Sequence, residues 1–196
     1  MTKINIFKDQ ETYLTGQLLV ATPAMVHDSI FSKSVIFIVS HNHTGSIGVV
    51  VNNPINMVQS SIILNSLSKD DSVNYNNIQV YFGGPVEQNR GFILHTNDYK
   101  TNPIFELKND LVLSSNIDIL KDISIGMGPS RSLFTIGCTG WAKGQLEREI
   151  SENQWLIAPF SENIIFNNNN NSEKWNLAMK NLGVKDYALS IVAGHA

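Results

Sequence analysis

One segment, residues 132–153, constrains the fold more than any other, because it places a strand, a glycine turn and a helix within a short stretch. Residues 132–136 are apolar and rich in β-forming types, residues 137–140 begin and end with glycine, and Leu146 and Ile150 recur at helical spacing. We therefore predict a strand, a tight reversal at residues 137–140 and a helix. Such a turn directs side chains and the first helical N–H groups toward one point, which is how nucleophile elbows and anion sites are built.

The length and composition predict a single folded domain over residues 1–196, with a weakly ordered polar segment at residues 1–15. Of the 196 residues, 42% are hydrophobic, which is enough for a substantial core. The net charge of −3 and the scattered lysines argue against direct nucleic-acid binding. The N-terminus lacks an apolar signal region, no apolar run is long enough to span a membrane, and the single cysteine cannot form an internal disulfide. We expect a soluble cytoplasmic protein without a membrane partner.

The first half of the chain is predicted to form mainly strands. The apolar run before Pro23 predicts a buried strand, and two β-branched runs joined by a polar, glycine-containing connection predict an antiparallel hairpin. Val58, Ile62 and Leu67 can share one face of a short helix. The predicted strands are residues 17–22, 34–40, 47–52, 78–82 and 91–96, with a polar loop at residues 69–77.

Helices enter in the second half of the chain. Ser115 is predicted to cap a helix, asparagines at residues 167–171 form a polar surface loop, and Ser172 begins a last helix that Gly183 ends. The predicted short strands are residues 111–114, 155–158 and 163–166. Because strands and helices do not alternate regularly, the pattern favours an α+β fold over a doubly wound sheet.

Four segments occur in a fixed order along most of the chain: GQLLVATPAM at residues 16–25, HNHTGSIGVVVNNPI at 41–55, FGGPVEQNRGFILH at 82–95 and GCTGWAKGQLEREISENQW at 137–155. The chain resembles the YqgE/AlgH family of bacterial proteins in these segments. The resemblance implies an α+β fold in which a bent, bifurcated, mostly antiparallel sheet closes into a pseudo-barrel with flanking helices. It implies no particular reaction, because the family's biochemical activity is not established, although members are often described as transcriptional regulators. Cys138 and Thr139 stand at positions that vary in the family, which argues against a shared cysteine chemistry.

The central segment and the Gly-Gly-Pro turn supply the candidate ligand-binding residues. Backbone N–H groups near the glycines and the ammonium of Lys143 would suit an anion, whereas the spacing matches neither a Walker A loop nor a G-x-S-x-G elbow. A packed structural turn is the simpler interpretation of both segments. The candidate residues are Gly83, Gly84, Arg90, Gly137, Cys138, Thr139, Gly140, Trp141, Lys143 and Gln145.

Cys138 has two interpretations. Beside a helix N-terminus, its thiolate could be favoured by the helix dipole, which would make it a nucleophile or a redox sensor. A free cysteine at the end of a buried strand is more often a small core residue, and no histidine lies nearby in sequence to act as a base. We favour the core interpretation.

The histidines and carboxylates predict no metal, cofactor or catalytic residue. His41 and His43 are two residues apart in a hairpin loop, and the chain has neither an H-E-x-x-H motif nor a cysteine pair. Glu147, Glu149 and Glu152 fit the solvated face of a helix better than an acid–base pair.

Three functions are compatible with these patterns. The leading one is a non-catalytic protein that binds an unidentified protein or small-molecule partner, with a regulatory consequence as one option. The alternative is an enzyme with an anion- or thiol-dependent site at residues 132–153, near Cys138, Thr139 and Lys143. The third is a transcriptional regulator that acts directly or indirectly. The sequence specifies no oligomeric state.

Overall fold

The computed structural model of the protein describes residues 13–67, 78–116, 118–167 and 171–184. Residues 1–12, 68–77 and 168–170, which contain most of the predicted weakly ordered N-terminus and of the two predicted polar loops, lie outside the described residues. The strands are β1 (Leu18–Ala21), β2 (Val35–Asn42), β3 (Gly45–Val50), β4 (Val80–Phe82), β5 (Val86–Thr96), β6 (Phe105–Glu106), β7 (Leu111–Ser114), β8 (Ser132–Ala142) and β9 (Trp155–Ala158). The helices are α1 (Met57–Leu67), α2 (Asp118–Ser124), α3 (Gln145–Ser151), α4 (Glu162–Phe166) and α5 (Asn171–Asn181), with a 3₁₀ turn at Pro23–Met25. None of the described helices is long and apolar enough to cross a membrane.

Most of the predicted elements are confirmed. The strand before Pro23 is β1, and the predicted hairpin is formed by β2 and β3, which pair antiparallel. The predicted last helix is α5, and Gly183 follows it in the left-handed conformation, with φ of 75°. The N–H of Val184 donates to the carbonyl of Met179 at 3.1 Å, which is the hydrogen bond expected at a glycine C-cap.

Two helix starts differ from the prediction. The helix expected after Ser115 is α2, but the side chain that accepts the Asp118 N–H, at 3.0 Å, belongs to Asn116. The last helix begins at Asn171, so Ser172 lies in its first turn rather than before it. Serine and asparagine are both common at helix starts, so sequence spacing alone does not choose between neighbouring positions.

The predicted strand at residues 163–166 is wrong, because this stretch lies in α4. Ser161 has extended backbone and its hydroxyl accepts the Ile164 N–H at 3.4 Å, which caps the first turn of the helix. Ile164 and Ile165 are both buried against the core. A short apolar run is compatible with a buried strand and with a buried helix, and here the serine cap favours the helix.

The predicted reversal at residues 137–140 is also wrong. β8 continues through these residues, and residues 45–48 of β3 pair with residues 139–142. Because β3 supplies backbone partners for this part of the chain, it stays extended. The turn comes after β8 and includes Gly144, which has φ of 73°.

The sheet forks at β8. The strand order is β6-β7-β5-β8-β3-β2-β1-β9. One edge of β8 pairs with β5, whereas its other edge pairs first with β4, in parallel, and then with β3, antiparallel. This pairing confirms the α+β class and the bifurcated, mostly antiparallel sheet. The described strand pairs do not close the sheet into the expected pseudo-barrel, because β6 and β9 stand at opposite ends of the order.

The sheet buries side chains on both faces. All four residues of β1 are buried, and successive side chains of a strand point to opposite faces. Leu18 and Val20 join the cluster that packs against α4 and α5, whereas Leu19 and Ala21 join the opposite cluster with Leu146 of α3. A third cluster joins α1 and α2 to β4 and β8.

Lys174 of α5 is fully buried. The Lys174 ammonium donates to the carbonyls of Val51, at 2.9 Å, and Ile165, at 2.8 Å, and lies 5.1 Å from the ring centroid of Tyr81. The carbonyl of Ile165 is in the last turn of α4, where carbonyls have no partner within the helix. Lys174 therefore links α4 and α5 to Val51, the residue that follows β3, and burial lowers its pKa to about 8.

Replacing Lys174 with methionine is expected to change the pH dependence of stability. Burial lowers the pKa of Lys174 from 10.5 to about 8, so between these pH values the unfolded chain binds more protons than the folded protein and stability rises with pH. Over this window the unfolding free energy of the native protein should rise relative to Lys174→Met by about 3 kcal/mol. Urea unfolding of both proteins at several pH values measures the difference, and parallel pH profiles would contradict the lowered pKa of Lys174.

Candidate functional site

A cleft with a volume of about 190 Å³, which we call the β8–α3 cleft, opens beside the second half of β8. Its walls come from the connection between β1 and β2, the segment after the Gly-Gly-Pro turn, β8 with α3, and the start of β9. The residues predicted from sequence that line it are Thr139, Gly140, Trp141 and Gln145. Lining residues that were not predicted as ligand-binding include Asp28, Phe31, Glu149, Gln154 and Trp155. The volume suits a small molecule, since a cavity of about 150 Å³ can hold benzene.

Strand alternation separates Cys138 from Thr139. Thr139 and Trp141 line the cleft, whereas Cys138 belongs to the core cluster that packs against α4 and α5. Thr139 is only 3% exposed, and its hydroxyl has no hydrogen-bond partner among the described residues. Solvent reaches this hydroxyl, since it is not among the fully buried side-chain atoms that lack a partner in the described residues. A ligand in the cleft could therefore bond to it in place of water.

Glu149 organises one wall of the cleft. Its Oε2 accepts the indole N–H groups of Trp141, at 2.8 Å, and Trp155, at 2.9 Å, and its Oε1 accepts the Gln145 side chain at 2.8 Å. Gln145 and Glu149 are four residues apart on α3 and therefore share a face. The two indole rings meet edge to face, with centroids 6.2 Å apart. Three donors thus fix the Glu149 carboxylate in place.

The connection between β1 and β2 brings Asp28 and Phe31 to the cleft. Asp28 Oδ1 accepts the backbone N–H groups of Ile30, at 2.8 Å, and Phe31, at 2.6 Å. An aspartate that binds its own backbone in this way stabilises a local turn. The Phe31 ring packs edge to face on Trp155, with centroids 5.8 Å apart. The turn therefore places a carboxylate and an aromatic ring on the same cleft.

Carboxylates dominate the charge of the β8–α3 cleft. Its lining contains Asp28 and Glu149 and no lysine, arginine or histidine. Lys143 is exposed and is not part of the lining. The lining therefore does not favour the anion that the sequence suggested.

Gly83, Gly84 and Gly137 meet at a backbone junction beside the cleft rather than in its lining. A Cβ atom on Gly84 would lie 2.3 Å from the carbonyl oxygen of Cys138, and one on Gly137 would lie 2.3 Å from that of Gly84. The absence of side chains lets the two backbones touch where the sheet forks. Residues 85–86, which follow directly, line the cleft, so the junction positions part of its wall.

Arg90 is held on the surface, outside the cleft. Its guanidinium donates to Glu87 Oε2 at 3.1 Å and to the Ser115 hydroxyl at 3.2 Å. It also lies 5.1 Å from the ring centroid of Phe92. These contacts fasten Arg90 to its own strand and to the segment after β7.

The surroundings of Cys138 favour the core interpretation. The residue is 8% exposed, and burial raises the pKa of its thiol. The nearby carboxylate of Glu87 raises this pKa further, while Arg90 acts in the opposite direction. A raised pKa leaves less thiolate at neutral pH, and the thiolate is the reactive form.

The two buried histidines use both ring nitrogens within the protein. The backbone N–H of Leu14 donates to His41 Nδ1 at 3.1 Å, so the proton lies on Nε2, which donates to Glu147 at 2.9 Å. His95 Nδ1 lies 2.8 Å from a backbone carbonyl and its Nε2 lies 3.0 Å from the Ser114 hydroxyl, and both residues are fully buried. Across the described ranges, no group of three or more His, Cys, Asp or Glu side chains is placed to hold a metal ion.

The fold and the cleft together define a class of protein: an α+β protein whose forked antiparallel sheet presents a small acidic and aromatic cleft beside its branching strand. The chain belongs to the AlgH-like family, whose model matches residues 18–187. The family resemblance found in the sequence is therefore confirmed.

Relatives of known sequence and structure match nearly the whole chain. The UPF0301 proteins of Rickettsia canadensis and Rickettsia prowazekii are each 39% identical to it over 183 residues, which is 93% of this chain and 96% of each relative. The solution structure of the AlgH protein from Pseudomonas aeruginosa matches with a TM-score of 0.71 and 35% identity, covering 96% of this chain and 99% of that one. A crystal structure of a Corynebacterium diphtheriae protein matches with a TM-score of 0.66 and 21% identity, covering 97% and 96%, and supports the fold alone. The family has no established function.

Alanine at Gly137 is expected to cost far more stability than alanine at Gly144. Both glycines have φ of 73°, but a Cβ on Gly144 meets no atom within 4 Å, whereas one on Gly137 meets the Gly84 carbonyl. The left-handed backbone alone costs about 1–2 kcal/mol, and overpacking adds about 1–3 kcal/mol at Gly137. Chemical denaturation of the two variants compares them directly, and equal losses would show that the junction tolerates a side chain.

Cys138 is expected to react with iodoacetamide more slowly than free cysteine at neutral pH, because the thiol is buried and its pKa is raised. The rate measured by mass spectrometry in the folded protein can be compared with the rate in urea, where the thiol is exposed. A folded-state rate above that of free cysteine would revive the nucleophile hypothesis.

Proposed function

We propose that the protein is a non-catalytic binding protein that holds a small molecule in the β8–α3 cleft. This proposal deepens the leading interpretation of the sequence, in which the segments around the two glycine turns carry the site. Four of the predicted residues line one cleft: Thr139, Gly140, Trp141 and Gln145.

The observation that carries the proposal is the hydroxyl of Thr139. Thr139 is 3% exposed and borders the cleft, and its hydroxyl has no hydrogen-bond partner among the described residues. Solvent reaches this hydroxyl, because Ser46 Oγ is the fully buried side-chain oxygen without a partner among the described residues. A ligand with a polar group in the cleft would satisfy this hydroxyl, and the fixed Glu149 carboxylate and the two indole rings would shape the site around it.

The geometry favours binding over catalysis. Glu149 accepts three hydrogen bonds from neighbouring side chains, so most of its roughly four acceptor sites serve the structure of the wall. Cys138, the nucleophile of the alternative enzyme hypothesis, faces the core cluster on the other side of β8. The thiol-dependent mechanism therefore lacks a reactive group in the cleft.

A regulatory role would follow from ligand binding rather than from direct contact with DNA. The lining of the cleft is acidic, and phosphate backbones are bound by basic surfaces. Transcriptional regulation thus stays a prediction that depends on a ligand or on a protein partner.

Binding in the cleft is expected to shift the indole N–H signals of Trp141 and Trp155 in NMR spectra, because both groups donate to Glu149 in the cleft wall. Trp175 is the internal control, since its indole N–H donates to the carbonyl of Ala21 in the core at 2.8 Å. A fragment library provides the probes. If no fragment shifts the first two signals, or if all three signals always move together, the cleft is not a binding site.

Thr139→Val is expected to weaken the binding of any such fragment that carries a hydrogen-bonding group by about two- to tenfold, since a neutral hydrogen bond contributes about 0.5–1.5 kcal/mol. Thr135→Val is the matched control, because Thr135 is a buried threonine of the same strand that does not line the cleft. Calorimetric titration gives both affinities. Equal effects of the two variants would mean that the Thr139 hydroxyl makes no contact with the ligand.

A further inference from the structure

We propose that the group bound in the β8–α3 cleft is a small organic ammonium cation. The inference rests on the proposed function, because it names the chemical class of ligand for the same cleft. It is carried by the charge of the lining, by the aromatic rings beside the carboxylates and by the unpartnered hydroxyl of Thr139.

The negative charge of the cleft has no counter-charge within the described residues. Neither Asp28 nor Glu149 forms an ion pair with a basic side chain there. The hydrogen bonds that hold these two carboxylates come from neutral donors, namely backbone N–H groups, two indoles and an amide. A bound cation would supply the missing opposite charge, and its attraction to the half-buried Glu149 would be stronger than in bulk water, whereas Asp28 is exposed.

The chemistry of the lining favours an organic cation over a metal ion. Phe31, Trp141 and Trp155 line the same cleft as the carboxylates, and aromatic rings attract ammonium groups through their π electrons. Of the side chains that bind metals, the lining holds only Asp28 and Glu149, and neighbouring side chains already occupy three of the roughly four acceptor sites of Glu149. Aromatic rings are instead the groups by which proteins recognise quaternary ammonium ligands such as choline.

Thr139 adds a directional contact. The residue is 3% exposed, and its hydroxyl, which solvent reaches, has no partner among the described residues. A hydroxyl, carbonyl or ammonium N–H on the ligand could bond to it. The cleft volume of about 190 Å³ restricts the ligand to a few non-hydrogen atoms beyond the cationic group.

Three probes of nearly the same shape separate the effect of charge from the effect of size: choline, its uncharged analogue 3,3-dimethylbutan-1-ol, and the anion 3,3-dimethylbutanoate. Calorimetry gives the affinities, and the indole N–H signals of Trp141 and Trp155 report whether each probe enters the cleft. Choline is expected to bind at least tenfold more tightly than the alcohol, and the carboxylate is expected not to bind.

Two charge-removing variants test whether the two carboxylates are responsible. Asp28→Asn keeps an oxygen for the Ile30 and Phe31 N–H groups, and Glu149→Gln keeps one for the two indoles. Each variant is expected to weaken the binding of choline by about tenfold and to leave the affinity for the uncharged alcohol unchanged. Glu147→Gln is the control, since it removes the same charge from the same helix outside the cleft. Thermal unfolding of each variant confirms that it is folded.

The outcomes distinguish this inference from the proposed function. Three results would overturn the inference that the ligand is a cation but leave the proposal of a small-molecule cleft standing. They are equal binding of choline and the alcohol, tighter binding of the carboxylate, and an equal loss of choline affinity in Glu147→Gln. If none of the three probes and no library fragment shifts the two indole signals, both the cation and the proposed function are overturned.

Discussion

The close backbone contact between Gly84 and Gly137 is the constraint on which the remaining architecture depends. At this point β8 leaves one set of partners, β4 and β5, and continues beside β3. The two chains approach to a distance at which any Cβ would overlap a carbonyl oxygen. Without this contact, β8 could not pair with the strands of both branches of the sheet, and residues 85–86 would not reach the cleft.

The fork creates the cleft because β8 extends beyond its residues that pair with β4 and β5. Beyond the fork its residues pair with β3 on one side, and α3 folds back beside it, so Thr139 and Trp141 border a gap rather than a further strand. Glu149 then ties β8 to β9 through one carboxylate oxygen shared by two indoles. The wall is therefore rigid where the ligand is proposed to bind, which limits the entropy lost on binding.

The distribution of charge supports a division of roles within the molecule. The buried cation, Lys174, satisfies backbone carbonyls at the junction of β3, α4 and α5, and so acts in the structure. The carboxylates of Asp28 and Glu149 lie instead at an open cleft and lack a described counter-charge. In a family whose function is not established, this cleft gives the AlgH-like fold a specific chemical property that can be tested.

The sequence by itself determined the elements whose signals are local, whereas the tertiary structure decided how they combine. The hairpin of β2 and β3, the glycine end of α5 and the α+β class follow from short-range patterns in residue type, and the motif order identified the family. Four of the twelve residues that line the cleft were also foreseen, since Thr139, Gly140, Trp141 and Gln145 are near one another along the chain. The course of β8 through Gly137 was not, because only the pairing with β3 keeps residues 139–142 extended. Asp28 and Trp155 were missed for the same reason: they are far apart in sequence, and nothing in the local pattern of either one reveals the neighbours that packing gives it.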